Sequence, residues 1–137
     1  MTTPNTLTIL DVSGPFREPR EPVFSYDYTI RRPHWPATYA ARVKVSIPDE
    51  LEVLKTALLG AVAGSPGQQL LLSKVLTRRI ADEKLRLAEE DGQLMERGEV
   101  VVAPFVGPLA HHFPKLQAWL ERERDSLREE VKKRANL

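Results

Sequence analysis

The chain contains no cysteine among its 137 residues, which excludes disulfide bonds, thiolate zinc sites and cysteine nucleophiles. Its formal net charge is only +1, so it lacks the large basic excess that is typical of non-specific nucleic-acid binders. No apolar run approaches the ~20 residues that span a bilayer. The first residues lack the basic and apolar regions of a signal peptide. We therefore expect one cytoplasmic domain with no membrane contact.

The motifs of common active sites are absent as well. There is no nucleophile elbow, no phosphate-binding loop and no pair of histidines at zinc-ligand spacing; the three histidines are His34, His111 and His112. The acidic pairs Asp49-Glu50 and Glu129-Glu130 lie where helix starts or charged helix faces are expected, and solvation accounts for them. We predict that the protein is not an enzyme and that it holds no metal or cofactor.

The composition changes at Pro48. Seven of the eleven prolines and six of the nine aromatic residues precede Asp49, whereas Leu, Glu and Arg dominate the rest. This change predicts a single α+β domain over residues 1–137, with a β-rich part (1–48) and a mainly helical part (49–137) that ends in a charged helix.

Two strands are predicted by a strict alternation of apolar and polar residues, over 22–31 and 37–47. A short proline-rich connection joins them, which is typical of an antiparallel pair. Weaker alternation predicts a first strand over 6–12, ended by Ser13-Gly14-Pro15 and followed by an extended loop to Pro22. A short apolar run over 99–103 predicts a fourth strand.

Three helices are predicted after Pro48. The first runs to Gly64, and the second begins at the capping box Ser65-Pro66-Gly67-Gln68 and runs to Asp91. Its inner stripe is Leu72, Val75, Leu76, Ile80 and Leu87, and its outer face carries the opposite-charge pairs Arg78–Asp82, Arg79–Glu83 and Arg86–Glu90, which are typical of a solvated face.

The last helix is predicted from Pro114 to Arg134. Its apolar positions thin out after Leu120, which indicates either a peripheral helix that extends past the body or a frayed tail. The expected element order is β-β-β-α-α-β-α. We predict a three- to four-stranded antiparallel sheet packed by about three helices.

Protein binding is the function that the residue types favour. Arg31, Arg32 and Trp35 lie in a proline-flanked connection, and Trp and Arg dominate the energetics of protein interfaces. A charged surface on the last helix, with Trp119 near its base and Arg128 and Lys132 further along, is a second candidate. Trp35 fits the hydrophobic core equally well, so both interpretations stay open.

Nucleic-acid binding is the first alternative. Phe24, Tyr26 and Tyr28 followed by Arg31 and Arg32 are the residue types of a base-stacking strand with phosphate contacts. The strict alternation favours a different interpretation, in which these aromatics form the core side of the sheet. A subunit of a structural assembly is the second alternative.

In general build, the chain resembles small proteins that phages of thermophilic bacteria make to inhibit the host RNA polymerase. The resemblance lies in size, a β-rich start (Thr6–Ile47), a charged helical end (Pro114–Arg134), the lack of cysteine and a composition rich in Glu, Arg and Leu. It implies a transcription regulator in the host cytoplasm that binds RNA polymerase or its sigma factor. It matches no motif and carries over no site residue.

Overall fold

The structure, a computed structural model, describes residues 8–31, 38–59, 65–90, 99–102 and 109–134. The elements follow the predicted order β-β-β-α-α-β-α and confirm the α+β class. They are β1 (Thr8–Arg17), β2 (Val23–Arg31), β3 (Tyr39–Ser46), one π-helical turn (Ile47–Leu51), α1 (Glu52–Leu59), α2 (Pro66–Glu90), β4 (Glu99–Val102) and α3 (Leu109–Arg134).

The strands form one sheet in the order β1-β2-β3-β4. The first three strands are antiparallel, as predicted, but β4 pairs with β3 in parallel, so the expectation of a wholly antiparallel sheet is wrong for this strand. The chain between β3 and β4 contains α1 and α2. A helical crossover of this kind returns the chain to the same end of the sheet, which makes the next strand parallel.

The predicted alternation in β2 and β3 decides which face the helices cover. Tyr28 pairs with Ala41 and Tyr26 with Val43, and all four side chains are buried beneath the helices. The opposite face is polar and carries ion pairs such as Asp27–Arg42, with 2.8 Å between Oδ1 and Nε. One covered face and one solvated face are what an antiparallel sheet of this composition favours.

Strand β1 is longer than predicted. It continues through Gly14 and Pro15 to Arg17, with an irregularity between Ser13 and Phe16. Gly14 has a φ of 131°, and a Cβ there would lie 2.8 Å from the backbone oxygen of Ser25, so only glycine fits. Proline is tolerated because β1 is an edge strand, where a missing N–H need not break a ladder.

The start of α2 is the predicted capping box. The Ser65 N–H donates to Gln68 Oε1 at 2.9 Å, and the Gln68 N–H donates to Ser65 Oγ at 3.3 Å. The whole predicted inner stripe of the helix is buried. The predicted stop signals Gly64 and Gly92 lie outside the described residues.

The outer charges of α2 are not a solvated face throughout. Arg78 pairs with Asp82 as predicted, with 3.0 Å between Nε and Oδ1. Arg79 does not pair with Glu83, however, because it reaches across to Glu123 and Glu130 of α3. This part of α2 is therefore a helix–helix contact.

Helix α3 begins at Leu109, five residues before the predicted start at Pro114. Pro114 is the sixth residue of the helix and lies beyond its first turn, so it removes the hydrogen bond that an N–H there would donate to the carbonyl four residues earlier. The charged second half is neither a peripheral extension nor a frayed tail, since Leu127 and Val131 are fully buried in the core. Charged residues fill only the positions between these apolar ones.

Candidate functional site

A basic pocket of about 190 Å³ lies where the β1 irregularity meets α2 and α3. Helix α2 contributes Lys74, Arg78 and Arg79, and α3 contributes Arg134. These are four cations around one depression, and Glu130 is the single carboxylate in the lining. The remaining lining residues are Gly14, Pro15, Tyr26 and Val75.

One wall of the pocket is fixed from the core side. The buried Tyr28 donates its hydroxyl hydrogen to Asp82 Oδ1 at 2.7 Å, and Arg78 Nε donates to the same oxygen at 3.0 Å. Burial raises the pKa of Tyr28 above its ordinary value, so its phenol stays protonated and remains a donor. Asp82 is thereby held in place, and it orients the guanidinium of Arg78.

The other wall is a bridge between the two helices. Glu130 Oε1 accepts from Arg79 at 2.9 Å, and Glu130 Oε2 accepts from Arg134 at 3.0 Å. A single carboxylate therefore binds two guanidinium groups at the edge of the pocket. Each guanidinium contacts Glu130 through one nitrogen, so the carboxylate bridges the two arginines through charge-assisted hydrogen bonds.

The charges nearly balance when the supporting residues are included. Asp82, Glu123 and Glu130 face the four cations, which leaves a net charge of +1 for the cluster. Lys74 is exposed to solvent at the rim. The pocket is also smaller than the ~300 Å³ at which drug-sized ligand sites begin, so it fits a small anionic group better than a whole cofactor.

A second surface is the β1 edge patch, which we define as Ile9, Leu10, Arg31 and the unpaired edge of residues 8–13. Ile9 is 38% exposed and Leu10 is 48% exposed, which is unusual for large apolar side chains in a strand. Leu10 falls in an irregularity between Ile9 and Asp11. Thr8 pairs with Arg31 and Ile9 pairs with the buried Ile30, so this exposed arginine lies next to the same stretch of β1 but on the opposite face of the sheet from Ile9.

A third feature is a buried ion pair near the start of the helical part. Lys84 of α2 donates to Glu50 Oε1 at 2.9 Å, and both side chains are 0% exposed. Lys84 also donates to the backbone oxygen of Lys44, and the Ser46 N–H donates to Glu50 Oε1 at 2.7 Å. Glu50 Oε2 is buried without a hydrogen-bond partner in the described part of the chain. The arrangement ties β3 to α2.

Desolvation acts on both members of this pair in the direction of the neutral form. It raises the pKa of Glu50 above its ordinary value and lowers the pKa of Lys84 to about 8. The charge of each group partly offsets the pKa shift of the other. Burying the pair therefore costs electrostatic free energy, and the packing of the rest of the core offsets this cost.

We predict that this cost makes stability depend on pH. Between about pH 8 and the ordinary lysine pKa of 10.5, the unfolded chain binds a proton at Lys84 that the folded chain does not. The contribution of Lys84 to the free energy of unfolding therefore rises with pH, by up to about 1.4 kcal/mol per pH unit. Urea denaturation at pH 7.5, 8.5 and 9.5 measures it. If the difference in free energy of unfolding between the unmodified protein and Lys84→Met did not change with pH over this range, the lowered pKa of Lys84 would be contradicted.

The partner-binding residues predicted from sequence differ in their location and exposure. Arg31 is exposed in the β1 edge patch, and Arg32 and Trp35 lie outside the described residues. Trp119 is only 5% exposed and lies in the core, so it is not a surface anchor. Arg128 is half-buried and Lys132 is exposed, and neither borders the basic pocket.

The base-stacking strand predicted as an alternative is not available on the surface. Tyr26 and Tyr28 are 2% and 1% exposed, because α2 covers the face on which they lie. Their rings belong to the core, as the alternation favoured. His34 and the side chains of His111 and His112 lie outside the described part. Within the described residues, no three His, Cys, Asp or Glu side chains are grouped to hold a metal ion.

Sequence reasoning missed the basic pocket, although a signal for it exists. Lys74 and Arg78 are four residues apart and Arg79 follows, which places three cations on neighbouring positions of one helix face. The contribution of Arg134 depends on how α3 packs, and that packing has no local signature.

None of the helices in the described ranges is long and apolar enough to cross a bilayer. Comparisons with protein-family models, curated proteins and solved structures found no match to this chain.

Proposed function

We propose that this protein is a non-enzymatic regulator that docks on a larger protein through the β1 edge patch. The occupant is an extended segment of the partner that adds a strand beside β1. It carries apolar side chains for Ile9 and Leu10 and an acidic side chain for Arg31, because these are the exposed groups that the patch offers.

The observation that carries the proposal is the exposure of β1. Of the five large apolar residues exposed in the described part of the chain, three lie in this strand: Ile9, Leu10 and Phe16. Among the described strands, β1 is also an edge of the sheet, with β2 on one side only. Such edges pair readily with another chain unless they are protected. Pro15 and the irregularity at Gly14 protect the second half of β1. The first half is interrupted at Leu10, which leaves the edge on either side of it, at residues 8–9 and 11–13, for docking.

Bacterial RNA polymerase or its sigma factor is the first partner to test. This choice rests on the resemblance in general build to polymerase inhibitors from phages of thermophilic bacteria. In that case the protein acts in the host cytoplasm and changes promoter choice or inhibits transcription.

The experiment is a pull-down of purified bacterial RNA polymerase, as core enzyme and as holoenzyme, by the tagged protein. We expect Leu10→Ala and Arg31→Ala each to weaken retention about fivefold or more, since each removes an exposed side chain on which the proposed contact depends. Matched controls are Leu70→Ala, which removes an equally large exposed side chain from α2, and Arg122→Ala, which removes an exposed arginine from α3. Both controls should bind like the unmodified protein.

Equal retention of all four variants would contradict docking through β1. The same pull-down from a bacterial lysate, with and without nuclease, tests the alternative function. If the retained material disappears when nuclease is added, nucleic-acid binding would replace protein docking as the proposed function.

A further inference from the structure

We infer that the basic pocket between β1, α2 and α3 is a binding site for a small oxyanion of the phosphate class. The ligand is either free inorganic phosphate or the terminal phosphate group of a small phosphorylated molecule. The site shares no residue with the β1 edge patch, so it stands or falls independently of the docking proposal.

Two helices and a strand bring four cations together at an electrostatic cost. Lys74, Arg78 and Arg79 already lie close together on α2, and packing adds Arg134 from α3. Like charges that share a depression repel one another unless anions compensate them. The resident carboxylates leave one positive charge over, and Lys74 and Arg134 are the two exposed cations of the pocket.

The guanidinium groups of Arg78 and Arg79 are oriented before any ligand arrives. Asp82 holds Arg78 through Nε, and Asp82 is itself held by the hydroxyl of the buried Tyr28. Arg79 is held from the other side by Glu123 and Glu130. Guanidinium groups fixed in this way lose little side-chain entropy when they bind an oxyanion.

Glu130 determines which end of the cluster is open to an external ligand. Its carboxylate bridges Arg79 and Arg134, so an oxyanion of this chain already occupies one end of the cluster. An external phosphate therefore binds at the other end, between Lys74 and Arg78, with Glu130 as an opposing charge. The small volume of the pocket admits the phosphate group and leaves the rest of a phosphorylated molecule outside.

The test is a titration of the full chain with inorganic phosphate, followed by amide NMR shifts at ionic strength held constant with sodium chloride. We expect saturable shifts that concentrate on residues 74–79 and at Gly14. Glycerol phosphate forms a second arm. Equal affinity would identify the phosphate group as the whole ligand, and binding of glycerol phosphate alone would identify a phosphorylated molecule as the ligand.

Two charge variants have opposite expected effects. Lys74→Gln should weaken phosphate binding about fivefold, because it removes an exposed cation from the rim. Glu130→Gln should tighten binding by a similar factor, because it removes the opposing carboxylate. The matched controls Lys132→Gln and Glu129→Gln change the net charge by the same amounts at exposed positions of α3 outside the pocket, and they should leave the affinity unchanged.

Several outcomes would overturn the inference. They are the absence of saturable shifts, shifts that spread over the whole basic surface, or equal changes in Lys74→Gln and Lys132→Gln. Lys74 is exposed, so its replacement tests the site even if Glu130→Gln fails to fold. A variant that loses phosphate binding but still docks, or one that loses docking but still binds phosphate, would show that this site and the β1 edge patch act independently.

Discussion

Replacing Lys84 by methionine is expected to lower the free energy of unfolding by about 3–5 kcal/mol. Methionine keeps most of the length of the side chain but removes its charge and its hydrogen bonds. Glu50 would then be a carboxylate with no exposed surface and with the Ser46 N–H as the donor that remains. An unpaired buried charge of this kind is among the few causes of a very large loss of stability.

The double variant Glu50→Gln/Lys84→Met separates the lost charge from the lost packing. Glutamine keeps an acceptor for the Ser46 N–H and removes the carboxylate charge. We expect the double variant to be more stable than Lys84→Met alone, because replacing both members of a buried ion pair is often close to neutral. Urea denaturation of the unmodified protein, the two single variants and the double variant gives the coupling free energy.

The effect of Lys84→Met should also depend on pH in a defined direction. Without the ammonium group, the pKa of Glu50 rises further, and the folded state binds a proton before the unfolded chain does. The stability deficit of Lys84→Met should therefore shrink as the pH falls toward 5. A deficit that is constant with pH, together with additive effects in the double variant, would mean that the pair contributes packing only.

Local patterns were sufficient to predict the elements that local physics decides. The alternation in β2 and β3 gave the correct faces, because each strand lies half in the core and half in solvent. The capping box at Ser65 gave the start of α2, since its two hydrogen bonds join residues only three apart. In both cases the determining contacts lie within a few residues of sequence or follow a fixed period.

The features that the sequence did not reveal depend on packing between distant segments. Glu50 and Lys84 are 34 residues apart, and each looks like an ordinary charged residue at a helix start or on a helix face. The extension of β1 beyond Pro15 depends on the close approach of Gly14 to β2, which leaves no room for a Cβ. The pocket needs Arg134 from α3 beside three cations of α2. A periodic pattern within one segment cannot predict that residues of distant segments come into contact.

The outcome for the last helix shows why charge alone was misleading. Its second half was predicted to be either a peripheral extension or a frayed tail, because its apolar positions thin out after Leu120 and charged residues dominate. Leu127 and Val131 lie four residues apart on the face that meets the core, and both are buried. Arg79 then reaches the carboxylates of the same helix and adds ion pairs beside the apolar contact. A helix can thus be mostly charged and still be packed along its length.

Trp119→Ala is expected to destabilise the protein by about 3–5 kcal/mol, which lowers the melting temperature by roughly 10–20 °C. The indole is 5% exposed and lies on the same stripe as the buried Leu116 and Leu120, so truncation leaves a cavity in the core. Thermal and urea denaturation followed by circular dichroism measures the loss. Trp119→Phe should cost less because it fills more of the space, and Gln117→Ala, at an exposed position of the same helix, should cost almost nothing. Nearly unchanged stability of Trp119→Ala, together with weaker partner binding, would instead place this tryptophan in an interface and show that α3 is not docked on the core.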